Sequence, residues 1–323
     1  MESGDPQSRD DEPQEAERAS GIMRIPNVSP EDEEGLLRVV ESEIFDKQSV
    51  SGLEREKTPE EVEIINGILA KLPGFIKRYG GRPVNLRLDH VHVIDSDKLT
   101  DQQKINIGNV PGKFITENQK ALIISEFTDY SAIKFAEVAL HELIHFNSFQ
   151  SNNYNRKTRK LSERTTGMGM WVVDDENPKN NPEFYFHEVN EAVTAELTKR
   201  FCEEYFGLIT ALAEDVKKRD EFRIGTKKVD ATEVMAIYNN KDSDGMWHAT
   251  SEDYPYADER KNGWTIMKEI QEKNPDKFKD AEEVFRIFTE AYFTGNKLKI
   301  AKLVEKTFGK GFFRRLGRNT KAK

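Results

Sequence analysis

From Ser131 to Asn147 the chain contains no glycine or proline and is apolar on almost every side. A helix with one polar stripe can lie on a surface, whereas a helix of this composition has to be surrounded. The rest of the fold is therefore expected to wrap around this segment. It also carries two histidines, His141 and His145, whose burial is costly unless their ring nitrogens find partners.

Four residues of helix turn through about 400°, so both imidazoles leave the same face and can share one cation. Neutral imidazole suits Zn²⁺, which takes three protein ligands and keeps one position open when it is catalytic. Glu142 lies about 100° round from His141, within reach of a zinc-bound water without being a ligand. Its carboxylate can take that water's proton while the metal lowers the water's pKa. His141-Glu142-Leu143-Ile144-His145 thus reads as a Zn²⁺ site with its general base.

Around this helix the sequence alternates between helix and strand signals. Thr58-Pro59-Glu60-Glu61 opens a helix whose apolar positions, Ile64, Ile65, Ile68, Leu69, Leu72, Phe75 and Ile76, recur at helical spacing up to Gly80-Gly81. Val84, Leu86 and Leu88 alternate with polar residues and predict a strand. The apolar phase slips at His90-Val91 and continues through Val91 and Val93, as a bulge or a strand buried on both faces would explain. Phe114-Ile115 and Leu122-Ile123-Ile124 flank Glu117-Asn118-Gln119-Lys120 and predict a hairpin. Residues 150–183 read as an irregular insertion or a hairpin. Further helices are expected at about 188–205, 208–219, 229–239, 263–273, 281–293 and 297–307. Strands first and helices later indicate an α+β fold, with a sheet-containing lobe to about residue 180 and a helical lobe after it. Residues 1–28, acidic and with little to bury, are expected to be disordered ahead of a folded unit at 29–323.

The third ligand has to come from elsewhere. The segment His187-Glu188-Val189-Asn190-Glu191-Ala192-Val193-Thr194-Ala195-Glu196 offers a histidine and three carboxylates, Glu188, Glu191 and Glu196. With His-Glu-x-x-His upstream and Asn190-Glu191-Ala192 here, the sequence resembles the gluzincins, the thermolysin-like zincin metallopeptidases. That resemblance covers about residues 84–205. It implies a zincin-like fold, a small mixed sheet whose edge strand packs on the active-site helix, followed by a mainly helical lobe. It also implies Glu191 as the third zinc ligand, a peptide or protein substrate, and an extended substrate lying along the strand near 113–124. Two features depart from thermolysin. The gap from His145 to Glu191 is much longer, and the acidic residue expected four positions after the ligand falls on Ala195, with Glu196 one position late. Gluzincins also use a Tyr or His to stabilise the oxyanion, for which His248, Tyr254, Tyr256 and Tyr185 are the candidates.

Other motifs carry less. Asn240-x-Asp242-x-Asp244-Gly245 resembles the start of a calcium loop, but the twelfth position is Ser251 instead of Glu, so a polar turn between helices is the better reading. His90 and His92 share one face of the expected strand with nothing nearby to complete a site, and are read as structural. Cys202 is the only cysteine, which precludes an internal disulfide and suits a small core residue.

The net charge is −9, and residues 1–28 hold seven acidic side chains against three basic ones. The remainder has no basic excess of the kind that phosphate backbones demand, so nucleic acid is not an expected partner. The basic run from Lys310 to Lys323 reads as a solvated terminus. No apolar run is long enough for a membrane span, and the acidic opening residues do not resemble a secretory signal, so a cytoplasmic protein is expected. The function this predicts is zinc-dependent hydrolysis of peptide bonds, with zinc-bound water activated by Glu142. The alternative is a non-catalytic zincin-fold binding or regulatory module, against which the intact Glu142 argues.

Overall fold

The structure is a computed structural model that describes residues 52–318, apart from 102, 105–109, 116–119, 126–130, 156–159, 173–182, 227–229 and 242–246. For the remaining residues within 152–164 and 239–249, and for Val172, it describes the backbone alone. The acidic tail and the expected start of order at residue 29 lie outside the described residues.

Helix α1 (Pro59–Arg78) begins where the sequence signals it. Thr58 accepts from the Glu61 backbone, and the Glu61 side chain accepts from the Thr58 backbone, which satisfies two donors the first turn would leave open. Its apolar stripe is buried through Ile64, Ile65, Ile68, Leu72, Phe75 and Ile76. Strand β1 (Val91–Ile94) starts later than the alternation suggests. Leu88–His90 forms a 3₁₀ turn, and that turn, not a bulge, shifts the apolar phase. Strands β2 (Gly112–Ile115) and β3 (Lys120–Ile124) form the expected antiparallel pair. β1 runs parallel to β3, which gives a three-stranded sheet in the order β1-β3-β2. The outer edge of β1 is covered by residues 53–55: Arg55 N–H donates to the Val93 carbonyl, and Asp95 N–H to that of Leu53. Among the described residues the strand that β2 pairs with is β3.

Helix α2 (Ala132–Asn147) carries the two histidines and is buried at every position from Ile133 onward. Ser131 caps it by accepting from the Lys134 backbone. β2 and β3 pack against it, as do α1, α3 (His187–Tyr205), α4 (Thr210–Gly225) and β8 (Val234–Lys241). This enclosure is why a sequence without a polar stripe is stable there.

Two parts of the chain differ from expectation. Residues 150–185 contain four strands, β4 (Gln150–Asn155), β5 (Lys160–Thr166), β6 (Gly169–Val172) and β7 (Glu183–Tyr185), ordered β4-β5-β6-β7 with antiparallel pairs. Their stability comes from pairing with one another, which local propensity reports poorly. The expected helix at 229–239 is instead a 3₁₀ turn leading into β8, which pairs with β9 (Trp247–Asp253). Val234, Met235 and Ala236 are all buried, so the run shows no alternation and cannot be told from a helix segment by periodicity. Residues 242–245, expected as a polar turn between helices, lie outside the described residues; the elements on either side of them are β8 and β9.

The remaining helices, α5 (Ala257–Glu272), α6 (Ala281–Thr294), α7 (Leu298–Phe308) and α8 (Phe312–Gly317), complete an α+β fold. One apolar core runs from Ile64 on α1 through Leu140 and Ile144 on α2 to Val304 on α7. No helix among the described residues is long and apolar enough to cross a membrane.

Candidate metal centre

His141 and His145 leave the face of α2 that meets α3, and Glu191, in the second turn of α3, meets them there. The His145 Nε2 to His141 Nε2 distance is 3.1 Å. From Glu191 Oε2 the distances are 3.3 Å to His141 Nε2 and 3.4 Å to His145 Nε2. All three residues are buried, and together they could hold a metal ion. Ligand atoms about 2.05 Å from a tetrahedral zinc lie about 3.3 Å from one another. The three observed edges bracket that value. Two imidazoles and a carboxylate are also a chemically suitable donor set for Zn²⁺ with one open position.

The other two carboxylates of α3 do not join this triangle. Glu188 is exposed, and Glu196 faces Arg200 at 2.8 Å and Arg260 at 3.7 Å. His187 lies at the rim, half exposed, with Nδ1 3.8 Å from Glu191 Oε1. Asn190 braces the carboxylate: its Nδ2 donates to Glu191 Oε1 at 3.2 Å, while its Oδ1 accepts from the backbones of Met168 and Gly169. The turn between β5 and β6 can approach so closely because residue 167 is glycine. Gly167 has φ +56°, and a Cβ there would lie 2.5 Å from Asn190 Oδ1. Thr194, Ala195 and Thr198 are buried, in keeping with close packing of α3.

The electrostatics are those of a site built for positive charge. Burial pushes the Glu191 carboxyl up, but His145 and His141 outweigh it and hold the group well below the usual carboxylate range. Burial works against a charged His141. Glu191, Glu142 and Glu137 nonetheless raise it to about 9, so without an ion the pocket keeps a proton. Glu142 moves the other way. Burial lifts its carboxyl above the ordinary range despite His141, His145 and a backbone hydrogen bond from Phe114.

Strand β2 lies directly on that carboxyl. A Cβ on Gly112 would sit 2.9 Å from Glu142 Oε1 and 2.6 Å from Val138 Cγ1. Phe114 packs on Phe146 of α2, with ring centroids 4.9 Å apart.

The tyrosine candidates separate cleanly. Tyr254 is buried and donates to Glu203 at 2.7 Å, and Tyr185 donates to Glu183 at 2.6 Å, so neither hydroxyl serves the site. The His248 side chain lies outside the described residues. Tyr256 stacks on His141, with centroids 5.6 Å apart and planes 14° from parallel. Burial, then Glu191, Glu142 and Glu137, push its hydroxyl well above the ordinary tyrosine range and so keep it a donor. Tyr256 and Phe186 are the two non-glycine residues with positive φ among those described, at +57° and +61°, and they directly precede α5 and α3. Bulky side chains are rare in that region, so packing must hold them there.

Tyr292, on α6, is a residue that the sequence reading missed. It is fully buried, with its hydroxyl 3.4 Å from His145 Nδ1. No spacing rule links it to the histidines, and no local signal marks it. His141 Nδ1 has no hydrogen-bond partner among the described residues, and neither does Glu137 Oε1 one helical turn earlier. Of His90 and His92, expected on one face of a strand, His90 belongs to the 3₁₀ turn and only His92 to β1. His90 Nδ1 accepts from the Arg87 backbone, and His92 Nδ1 pairs with Glu54 at 2.9 Å. Cys202 is buried in the core.

Compared with protein-family models, with curated proteins and with solved structures, the chain matches none.

Proposed function

We propose that this chain is a zincin-like metallopeptidase of the gluzincin type, which hydrolyses peptide bonds with a Zn²⁺ held by His141, His145 and Glu191. The observation that carries the reading is the triangle of two Nε2 atoms and one Oε2 with edges of 3.1, 3.3 and 3.4 Å, beside a buried carboxyl of raised pKa on Glu142. An ion bound there supplies Lewis-acid chemistry, polarising the scissile carbonyl and acidifying water.

The chain's own residues do the rest. Glu142 accepts the proton of the attacking water and returns it to the leaving amine. Its carboxylate is aimed by Phe114 and by the close backbone of Gly112. Tyr256 donates its hydroxyl to the carbonyl oxygen as negative charge develops there. Strand β2, which lies over Glu142, is where the main chain of an extended peptide would be laid across the site, with little demand on its sequence. Burial around the histidines excludes bulk water and strengthens each of these interactions.

Metal analysis of the purified protein, together with cleavage of a peptide library by wild type and Glu142→Gln, tests this reading. One zinc per chain in both proteins, with cleavage only by wild type, is expected. A protein that holds zinc but cleaves nothing would instead be the binding or regulatory module. Equal cleavage by Glu142→Gln would remove the mechanism.

A further inference from the structure

We propose that Glu252 is a positioning residue: its ion pair with the buried ammonium of Lys134 holds the end of β9 along α2 and so sets the Tyr256 ring on His141. This inference rests on the reading of Tyr256 as the donor to the carbonyl oxygen.

Lys134 stands in the first turn of α2, seven residues before His141. Seven residues turn through about 700°, so the two side chains leave nearly the same face, about 10.5 Å apart along the axis. On the opposing segment Glu252 and Tyr256 are four residues apart, a span of at most about 14 Å for a fully extended chain. Glu252 Oε1 lies 2.9 Å from Lys134 Nζ, and the Tyr256 ring lies 5.6 Å from that of His141, 14° from parallel. A chain fixed at both of these points runs beside α2 with little slack.

Lys134 makes a firm anchor. It is buried, as is Glu137, whose Oε2 lies 3.6 Å from the same ammonium. A buried cation held between carboxylates from two elements has little freedom to move. The rest of the segment is tied elsewhere. Tyr254 N–H donates to the Glu233 carbonyl at 2.9 Å, and its hydroxyl donates to Glu203 on α3 at 2.7 Å. The Tyr256 carbonyl accepts from the Arg260 backbone at 2.9 Å as α5 begins. Those ties locate the chain against α3, α5 and the turn before β8. The ion pair locates it against α2, the helix that carries His141. Tyr256 needs such a hold, because its φ of +57° is unfavourable for a bulky residue and persists only where the surroundings impose it.

Glu252→Ala cuts the tie and leaves Lys134 its partner Glu137. The constants kcat and KM on a cleaved peptide are measured in wild type, Glu252→Ala, Tyr256→Phe and the double variant. The hydroxyl acts in the transition state, so its displacement should lower kcat and kcat/KM together, by about 10²-fold for a shift near 1 Å. In the Tyr256→Phe background the same change should cost nothing further, since the group it places is already gone. Equal losses in both backgrounds would mean that Glu252 only stabilises the fold and would overturn the inference, as would wild-type kcat in a folded Glu252→Ala. A second readout needs no turnover. The His141 Cε1 proton, followed by NMR in histidine-labelled protein, should move from its wild-type position towards that in Tyr256→Ala, where no ring lies on it. An unmoved resonance would overturn the inference. If Glu252→Ala does not fold, Glu252→Gln, which drops the charge and keeps the shape, is read in the same way. A wild type that cleaves no peptide would remove the peptidase reading, and the His141 resonance would then decide the placing of the ring by itself.

Discussion

Gly112→Ala tests how Glu142 is held without replacing any ionisable residue. The added methyl would lie 2.6 Å from Val138 Cγ1, 2.9 Å from Glu142 Oε1 and 3.0 Å from Glu142 Cγ. An ordinary contact needs at least 3.4 Å, so β2 and α2 must part by about 0.8 Å, or Glu142 must swing away. Val138 is buried on a helix enclosed on all sides and cannot yield. Overpacking of this kind costs about 1–3 kcal/mol, which lowers Tm by a few degrees in a protein of this size. A displacement near 1 Å of a catalytic group costs about 10²-fold in rate. Zinc affinity should stay at the wild-type level, because no ligand atom is among the methyl's nearest neighbours. Gly74→Ala on α1 is the control, since a Cβ there meets nothing within 4 Å, and it should be neutral or mildly stabilising. The measurements are Tm by calorimetry, zinc affinity by chelator competition and kcat on a cleaved peptide. Wild-type Tm and kcat in Gly112→Ala would show that β2 does not press on the base.

Three further outcomes follow from the site. Glu191→Ala should weaken zinc binding by more than the about 10–100-fold typical of losing an outer partner, while Glu188→Ala should leave it unchanged; a chelator titration that reverses this order would move the third ligand elsewhere on α3. Zinc affinity should rise about tenfold per pH unit between pH 6 and 8, because His141, raised to about 9 without the ion, must release its proton to bind. By the same shift, the stability that His141 gives the metal-free protein is complete below about pH 6.5 and is lost as pH rises through about 9. Metal-free Tm should therefore fall over that range while the rise in Tm on adding zinc grows; an affinity flat with pH would contradict this. Tyr256→Phe should lower kcat about 10²–10³-fold with zinc affinity intact, and an unchanged kcat would leave the oxyanion to another donor.

How much of this was legible in the sequence depends on the range of each interaction. The pairing of His141 with His145 follows from helical periodicity alone, and so does the placing of Glu142 beside them. The same local rule located α1, α2 and α3 and anticipated the β2–β3 hairpin, because capping signals and apolar spacing act over a few residues. It failed at β8, where burial on both faces erased the alternation of Val234, Met235 and Ala236. It failed again at β4 to β7, whose strands exist by pairing with each other. At His90 it mistook a 3₁₀ turn for a bulge.

The third corner of the triangle shows the division most clearly. Sequence alone offered Glu188, Glu191 and Glu196 on one helix, and a resemblance favoured the middle one. The rotation of α3 against α2 turned Glu191 inward, left Glu188 in solvent and gave Glu196 to Arg200 and Arg260. Tyr256 was one of four candidates until its ring lay flat on His141. Tyr292 was not a candidate at all. Sequence thus determined which residues could share a helical face, since that is set by bond geometry within one turn. Only the tertiary structure decided which distant side chains reach that face, since that is set by how whole helices pack.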